Sequence, residues 1–304
     1  MNHKKLDLSL IFASALEILS VPSENSKVAN LQDLKNTLND RLNSVRTPAE
    51  DLIVWVDVDL GPIGMIKYPI TKMGIGSTVD LFSVEDIMLF ACYWRDRTKF
   101  TNFIDIGANI GLHSIVAGRC GYRIFAFEPS PKTFELAVAI SEQNSLEIHT
   151  PNSLSFSDAV KNSNLSLYVQ AAISDKNGMS QLVQFKQNPY GNHLKGRKDN
   201  LYGDIEEINV ELISANLVAK RDSLIKIDAE GADSEILSSI LNGRDQRLNS
   251  KIFLCDWRNE TREKLFKIAA DQGLSFYNIF NPNFFLDLDA LPKNHTADFV
   301  VLDI

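Results

Sequence analysis

The chain has 304 residues, 44% of them hydrophobic and 23% charged, with 31 Lys and Arg against 39 Asp and Glu for a net charge of −8. That length suits about two domains, or one large α/β domain with an extension, and the composition excludes a fibrous or disulfide scaffold and global disorder. The acidic balance excludes a whole-molecule basic footprint for nucleic acid.

In chain order, Lys4 and Lys5 precede an apolar run from Leu6 to Leu19, and Ala13-Ser14-Ala15 imitates a cleavage site. Asp7, Ser9 and Glu17 interrupt that run, so it reads as an amphipathic helix rather than a signal peptide. Leu31, Leu34, Leu38, Leu42 and Val45 recur at three- and four-residue steps and predict a second helix over 28–46, ended by Pro48. The alternation from Leu52 to Asp59, the turn residues Gly61 and Pro62 and the run Ile63 to Met65 and Ile66 predict a β-hairpin. Ser83 followed by Asp86 predicts a capping box that opens a helix over 84–96. Residues 1–97 therefore read as a helical and hairpin extension without chemistry of its own.

From Lys99 the rhythm becomes strand, glycine-containing turn, helix, strand, as in a parallel α/β sheet. Strands are expected at 102–106, 123–127, 165–172, 224–228, 251–255, 276–279 and 298–302, and helices at 111–119, 131–143, 232–241 and 261–272. The stretch Lys186 to Asn200 reads as a long loop. The aromatics Phe276, Tyr277, Phe280, Phe284 and Phe285 read as core. Cys92, Cys120 and Cys255 form no Cys-x-x-Cys, which points away from a disulfide framework or a cysteine zinc site and toward a cytoplasmic setting. No run reaches the roughly 18 uninterrupted apolar residues of a membrane span.

The densest signal is Phe103-Ile104-Asp105-Ile106-Gly107-Ala108-Asn109-Ile110-Gly111. An apolar strand runs into a glycine-punctuated turn and then a helix, so backbone can approach a ligand closely and free N–H groups can face it. The dinucleotide fingerprint would need glycines at 109 and 112, where Asn109 and Leu112 stand. Asparagine tolerates a left-handed backbone, so the turn can survive. Glu128 follows 21 residues after Gly107, in Phe127-Glu128-Pro129, where a carboxylate can accept both hydroxyls of a ribose. Together these predict a nucleoside-containing cofactor; singly, Asp105 or Glu128 would be no more than a helix cap or a surface pair.

Four segments in order, Asp105 to Gly111, Phe127-Glu128-Pro129, Ala171 to Gly178 and Ile225 to Ala232, resemble the successive motifs of the FkbM family of S-adenosylmethionine-dependent methyltransferases. The resemblance spans about residues 80 to 304. It implies a class I methyltransferase domain over 98–304 with a Rossmann-like sheet of seven strands, the last antiparallel, and methylation of a hydroxyl on a sugar, glycan, polyketide or similar small molecule. It also implies that Asp105, Gly107, Asn109, Gly111 and Glu128 serve S-adenosylmethionine. The segment Leu146 to Asn164 departs from the usual pattern and leaves the adenine-contacting residue unassigned.

Asp228 ends a central strand, at the edge where open α/β sheets bind ligands, and Lys226 shares its strand face. A buried lysine needs a partner. Asp228 or Glu230 would supply one in a purely structural reading; in the catalytic reading a carboxylate orients or deprotonates the acceptor hydroxyl. His113, one turn into the next helix on the side able to face the cofactor, is a further candidate base, although a helical histidine more often packs or caps. His193, beside Lys186, Lys195, Arg197 and Lys198, reads as solvated loop charge or as a lid over an anionic substrate. Asp228 with Asp256 would be the pair to hold a divalent cation, but two separated aspartates are a poor metal signature, and capping is the plainer role for Asp256. The expectation is an O-methyltransferase with no nucleic-acid partner. Its rivals are a scaffold that keeps the cofactor fold without catalysis, and a nicotinamide-dependent oxidoreductase, against which the missing glycine counts. The sequence leaves the oligomeric state open.

Overall fold

A computed structural model of the chain describes residues 4–20, 27–46, 53–73, 76–151, 165–185, 191–197, 203–219, 222–243, 249–255, 259–279, 281–285 and 300–304. Its start departs from the expected continuous helix. Lys4–Asp7 is a strand, β1, and helix α1 occupies only Ser9–Ser20. Asp7 makes the break: its carboxylate accepts the Ser9 N–H at 3.0 Å and the Ser9 hydroxyl at 2.6 Å, a side-chain bond that favours a helix start over continued extension. Helix α2 (Lys27–Asn43) matches its expectation closely. The expected hairpin is β2 (Val54–Asp59) against β3 (Met65–Ile70), and β1 adds to it in parallel, pairing with β2. A small ribbon of β4 (Lys72–Met73) and β5 (Gly76–Ser77) leads to α3 (Val84–Asp96). Its capping box forms as expected: the Ser83 hydroxyl accepts the Asp86 N–H and the Asp86 carboxylate accepts the Ser83 N–H.

The chain then alternates β6 (Asn102–Ile106), α4 (Leu112–Arg119), β7 (Arg123–Phe127), α5 (Pro131–Gln143), β8 (Ile148–His149) and β9 (Ser166–Val169). Next come β10 (Ala172–Ser174), β11 (Gly178–Phe185), β12 (His193–Leu194), β13 (Ile205–Ser214) and the one-turn helix α6 (Ala215–Val218). The series closes with β14 (Ser223–Ile227), α7 (Asp233–Gly243), β15 (Ser250–Leu254), α8 (Asn259–Asp271), β16 (Phe276–Asn278), β17 (Asn281–Phe285) and β18 (Val300–Asp303).

The main sheet has the order β17-β16-β18-β15-β14-β6-β7-β9-β8 among the described residues. Strands β8, β9, β7, β6, β14 and β15 run parallel, and β18 is antiparallel to both β15 and β16. This is an α/β fold with a mainly parallel sheet. Nine strands replace the expected seven because short β8 and β17 extend the two edges. The single strand expected at 165–172 is two: the Ala171 N–H turns back to the Val169 carbonyl at 3.0 Å, and β10 leaves for a second sheet of order β10-β13-β11-β12. That second sheet was not expected from the sequence.

Side-chain alternation sends successive residues to opposite faces of the main sheet. Phe103, Leu224 and Phe253 join an apolar cluster with Ile11 of α1, Phe90 of α3, Ile115 of α4 and Ile140 of α5. Ile104, Ile225 and Ile252 join another with Ile236 of α7 and Leu265 of α8. The N-terminal segment thus covers one face of the sheet in a continuous core. Of the aromatics read as core, Phe276 is fully buried and Tyr277 nearly so, Phe280 lies outside the described residues, and Phe284 and Phe285 are placed only as backbone in β17.

Candidate cofactor and acceptor cleft

Strand β6 has β7 on one side and β14 on the other, although the chain reaches them in opposite directions from it. At such a reversal the connections diverge and leave a crevice beyond the strand ends. The Gly107 and Ala108 N–H groups both donate to the Phe127 carbonyl, at 3.0 and 2.9 Å, and pull the turn toward the end of β7. Gly107 has φ +76°, and a Cβ there would lie 2.0 Å from the Asp228 carbonyl oxygen. Asn109 takes the left-handed conformation, φ 51°, as the missing-glycine argument requires. Its N–H donates to Glu128 Oε2 at 3.0 Å, while Glu128 Oε1 accepts the Ser130 N–H at 2.8 Å.

These residues line one cleft: Gly107, Asn109 and Glu128 together with Asp228, Glu230 and His193. Burial pushes the Glu128 carboxyl up to about 7, against the two backbone N–H bonds, which favour its ionised form. The Asn109 side-chain oxygen is buried and has no hydrogen-bond partner among the described residues. An acceptor held out of water without a donor is costly, and a ligand that donates to it would remove that cost. A glycine turn, an ionisable carboxylate and an unsatisfied amide oxygen therefore fit a hydroxyl- and amine-bearing nucleoside.

Asp105 and Gly111 stand apart from this lining. Asp105 is wholly buried and accepts from the Ser114 hydroxyl at 2.7 Å and from Lys226 Nζ at 3.2 Å. Gly111, φ +81°, begins α4 where a Cβ would approach Ala137 Cβ at 3.3 Å. Lys226, 2% exposed, reaches three acceptors on different segments: Asp105, the Gly107 carbonyl at 3.2 Å and Asp228 Oδ2 at 3.5 Å. Burial works against its charge, but the Asp105 and Asp228 carboxylates outweigh that and raise its pKa. Asp228 keeps 39% of its side chain exposed. Glu230 sits beside it with φ 49°.

His113 does not line the cleft. Its Nε2 lies 3.0 Å from Asp86 Oδ1 and its Nδ1 3.0 Å from the Tyr93 hydroxyl, against α3, because the helix start that it occupies packs on that element. His193 belongs to β12, 2% exposed, rather than to a solvated loop; of the nearby cations Lys195 pairs with Glu207 and Arg197 with Glu235, and Lys186 and Lys198 lie outside the described residues. Asp256 lies outside the described residues, and no group of three or more His, Cys, Asp or Glu placed to hold a metal occurs among those described. One residue escaped the sequence reading: Asp233, fully buried, accepts the Ala229 and Gly231 N–H groups at 3.4 and 3.3 Å and pins the turn that carries Asp228 and Glu230. Its signal is an acidic residue at the start of α7, just after Gly231-Ala232.

The chain is an S-adenosylmethionine-dependent methyltransferase with an α/β fold and a mainly parallel sheet. Residues 105–263, just over half the chain, match the family model described as the methyltransferase FkbM domain, and the chain belongs to that family. It is similar to solved structures including precorrin-6y C5,15-methyltransferase from Geobacter metallireducens GS-15, 14% identical over 71% of this chain and 87% of that one, with a TM-score of 0.35. Others are a SAM dependent methyltransferase from Agrobacterium tumefaciens (9% identity, 84% and 72% coverage, TM-score 0.44) and magnesium protoporphyrin IX methyltransferase from Synechocystis PCC 6803 with bound SAM (10%, 71% and 76%, 0.35). Comparison with curated proteins found no match. No helix among the described residues is long and apolar enough to cross a membrane.

Proposed function

We propose that the chain is an O-methyltransferase acting on a hydroxyl of a sugar, a glycan or another small molecule in the cytoplasm. The observation that carries this reading is the Asp228 carboxylate, which lines the cleft, stays partly open to solvent and lies 3.5 Å from a buried ammonium. S-adenosylmethionine, when bound, supplies an electrophilic methyl on a sulfonium. Gly107, Asn109 and Glu128 hold its nucleoside part, Gly107 by close backbone approach and Glu128 by accepting ribose hydroxyls. Asp105 and Gly111 act from behind, the first by fixing Lys226 and Ser114, the second by letting α4 begin against α5. Asp228 takes the proton of the acceptor hydroxyl. Lys226 aims that carboxylate, and Glu230 adds a second negative charge to the rim, which favours a cationic ligand.

Incubating extracts with the enzyme and methyl-labelled cofactor, followed by mass spectrometry and NMR of the product, tests the reading. A labelled methyl ether supports it, and a methyl on nitrogen or carbon overturns it. With an acceptor in hand, Asp228→Asn should lower kcat about a hundredfold or more while the Kd for S-adenosylhomocysteine stays within about threefold.

Glu128 sets a pH dependence. Ribose hydroxyls donate to the ionised carboxylate, so binding weakens as pH falls through about 7 and the group takes up its proton. Between pH 8 and pH 6 the ionised fraction drops about tenfold. The Kd for S-adenosylhomocysteine should rise by that factor in titration calorimetry, and Glu128→Gln should flatten the profile. A flat profile in the unsubstituted protein would contradict the assigned role.

A further inference from the structure

Besides its polar residues, the cleft is lined by Ala171, Ile173, Leu182 and Leu194, an apolar wall suited to a flat ring. His193 belongs to the same lining. The second sheet holds it there: Val183 pairs with His193 and Leu182 with Leu194 between β11 and β12, and the imidazole lies 5.6 Å from the Phe185 ring, centroid to centroid. His193 Nδ1 is 2.8 Å from the Gly191 carbonyl oxygen. A carbonyl oxygen only accepts, so Nδ1 carries the proton and the neutral ring has its lone pair on Nε2.

We infer that His193 selects the base of the cofactor, its Nε2 accepting an N–H from the exocyclic amine of adenine. The inference rests on the reading of this cleft as the cofactor site, and it gives the second sheet a purpose: to carry the base-reading side chain against the main sheet. The chemistry is directional. An acceptor fixed by its tautomer favours an amine at that ring position and opposes a carbonyl, because two lone pairs would face each other at a side chain that is only 2% exposed.

Titration calorimetry at pH 8 with S-adenosylhomocysteine and S-inosylhomocysteine, which carries a carbonyl in place of the amine, tests this. The unsubstituted protein should prefer the adenosyl ligand by about tenfold or more. His193→Leu should lose that preference by weakening the adenosyl ligand. His193→Gln should lose it by strengthening the inosyl ligand, since an amide can turn either its donor or its acceptor inward; if the leucine variant does not fold, as judged by its thermal transition, the glutamine variant decides. Equal affinity for the two ligands in the unsubstituted protein, or an undiminished preference in the folded variants, overturns the inference. Glu128→Ala separates the two readings. If it weakens both ligands alike while the His193 variants keep the preference, only the role of His193 falls; if it weakens neither, the cleft itself is wrongly assigned and the inference falls with it.

Discussion

Lys226→Met should destabilise the fold by about 3–5 kcal/mol, the usual cost of removing one partner from a buried ion pair. Asp105 has no exposed surface, and Lys226 Nζ lies 3.2 Å from it and 3.2 Å from the Gly107 carbonyl. Methionine fills much of the lysine's volume, so packing changes little and the dominant effect is a carboxylate left buried without its cation. Chemical denaturation would show the lowered midpoint, and a thermal scan a fall on the order of 10 °C. Adding Asp105→Asn to Lys226→Met should recover part of the loss, because the amide is uncharged and still accepts from Ser114. If the single substitution left the midpoint unchanged, the buried network would not hold the strand ends together.

Gly107→Ala should be comparably severe but should strike binding first. The new Cβ would meet the Asp228 carbonyl oxygen at 2.0 Å and its carbon at 2.9 Å, both backbone atoms of β14's end, and the left-handed φ of +76° adds strain. The turn must move away from β14, which breaks the bonds that fix it to Phe127 and Lys226. Affinity for S-adenosylhomocysteine should fall more than a hundredfold, about 2.7 kcal/mol or more, with a clear drop in the thermal midpoint. Gly121→Ala is the control: its φ is +96°, yet nothing lies within 4 Å of the added carbon, so it carries conformational strain alone, on the order of 1 kcal/mol.

Elements whose local signals and burial agree were legible in the sequence. The Ser83–Asp86 capping box, the apolar runs of β6, β7, β14 and β15, and the acceptance of Asn109 in a left-handed turn all follow from short-range rules. Long-range pairing decided the rest. β1 is a strand because β2 offers it a partner and Asp7 caps the helix that follows, whereas hydrophobic periodicity alone favoured one continuous helix. The alternation Ile208, Val210, Leu212 with polar residues between them is a half-buried strand signal for β13 that the expected strands do not include, and β11 is a strand because it pairs with β13 over eight residues. Without that sheet, His193 stands in the sequence among lysines and an arginine and reads as solvated loop charge or as a lid over an anionic substrate. His113 was misplaced for a related reason: its helix was legible, but not that α3 would pack against that side of it.

Calorimetric titration of S-adenosylhomocysteine into the unsubstituted protein and into Glu128→Ala at pH 8 tests the central claim most directly. Hydrogen bonds to a charged group contribute about 1.5–3 kcal/mol each, so the carboxylate's loss should weaken binding about a hundredfold, while the thermal transition of the unliganded protein stays cooperative but falls, because the Asn109 and Ser130 N–H groups lose their acceptor. Equal affinity in the two proteins, or no heat of binding in either, would contradict the assignment of the crevice between β6, β7 and β14 to the cofactor.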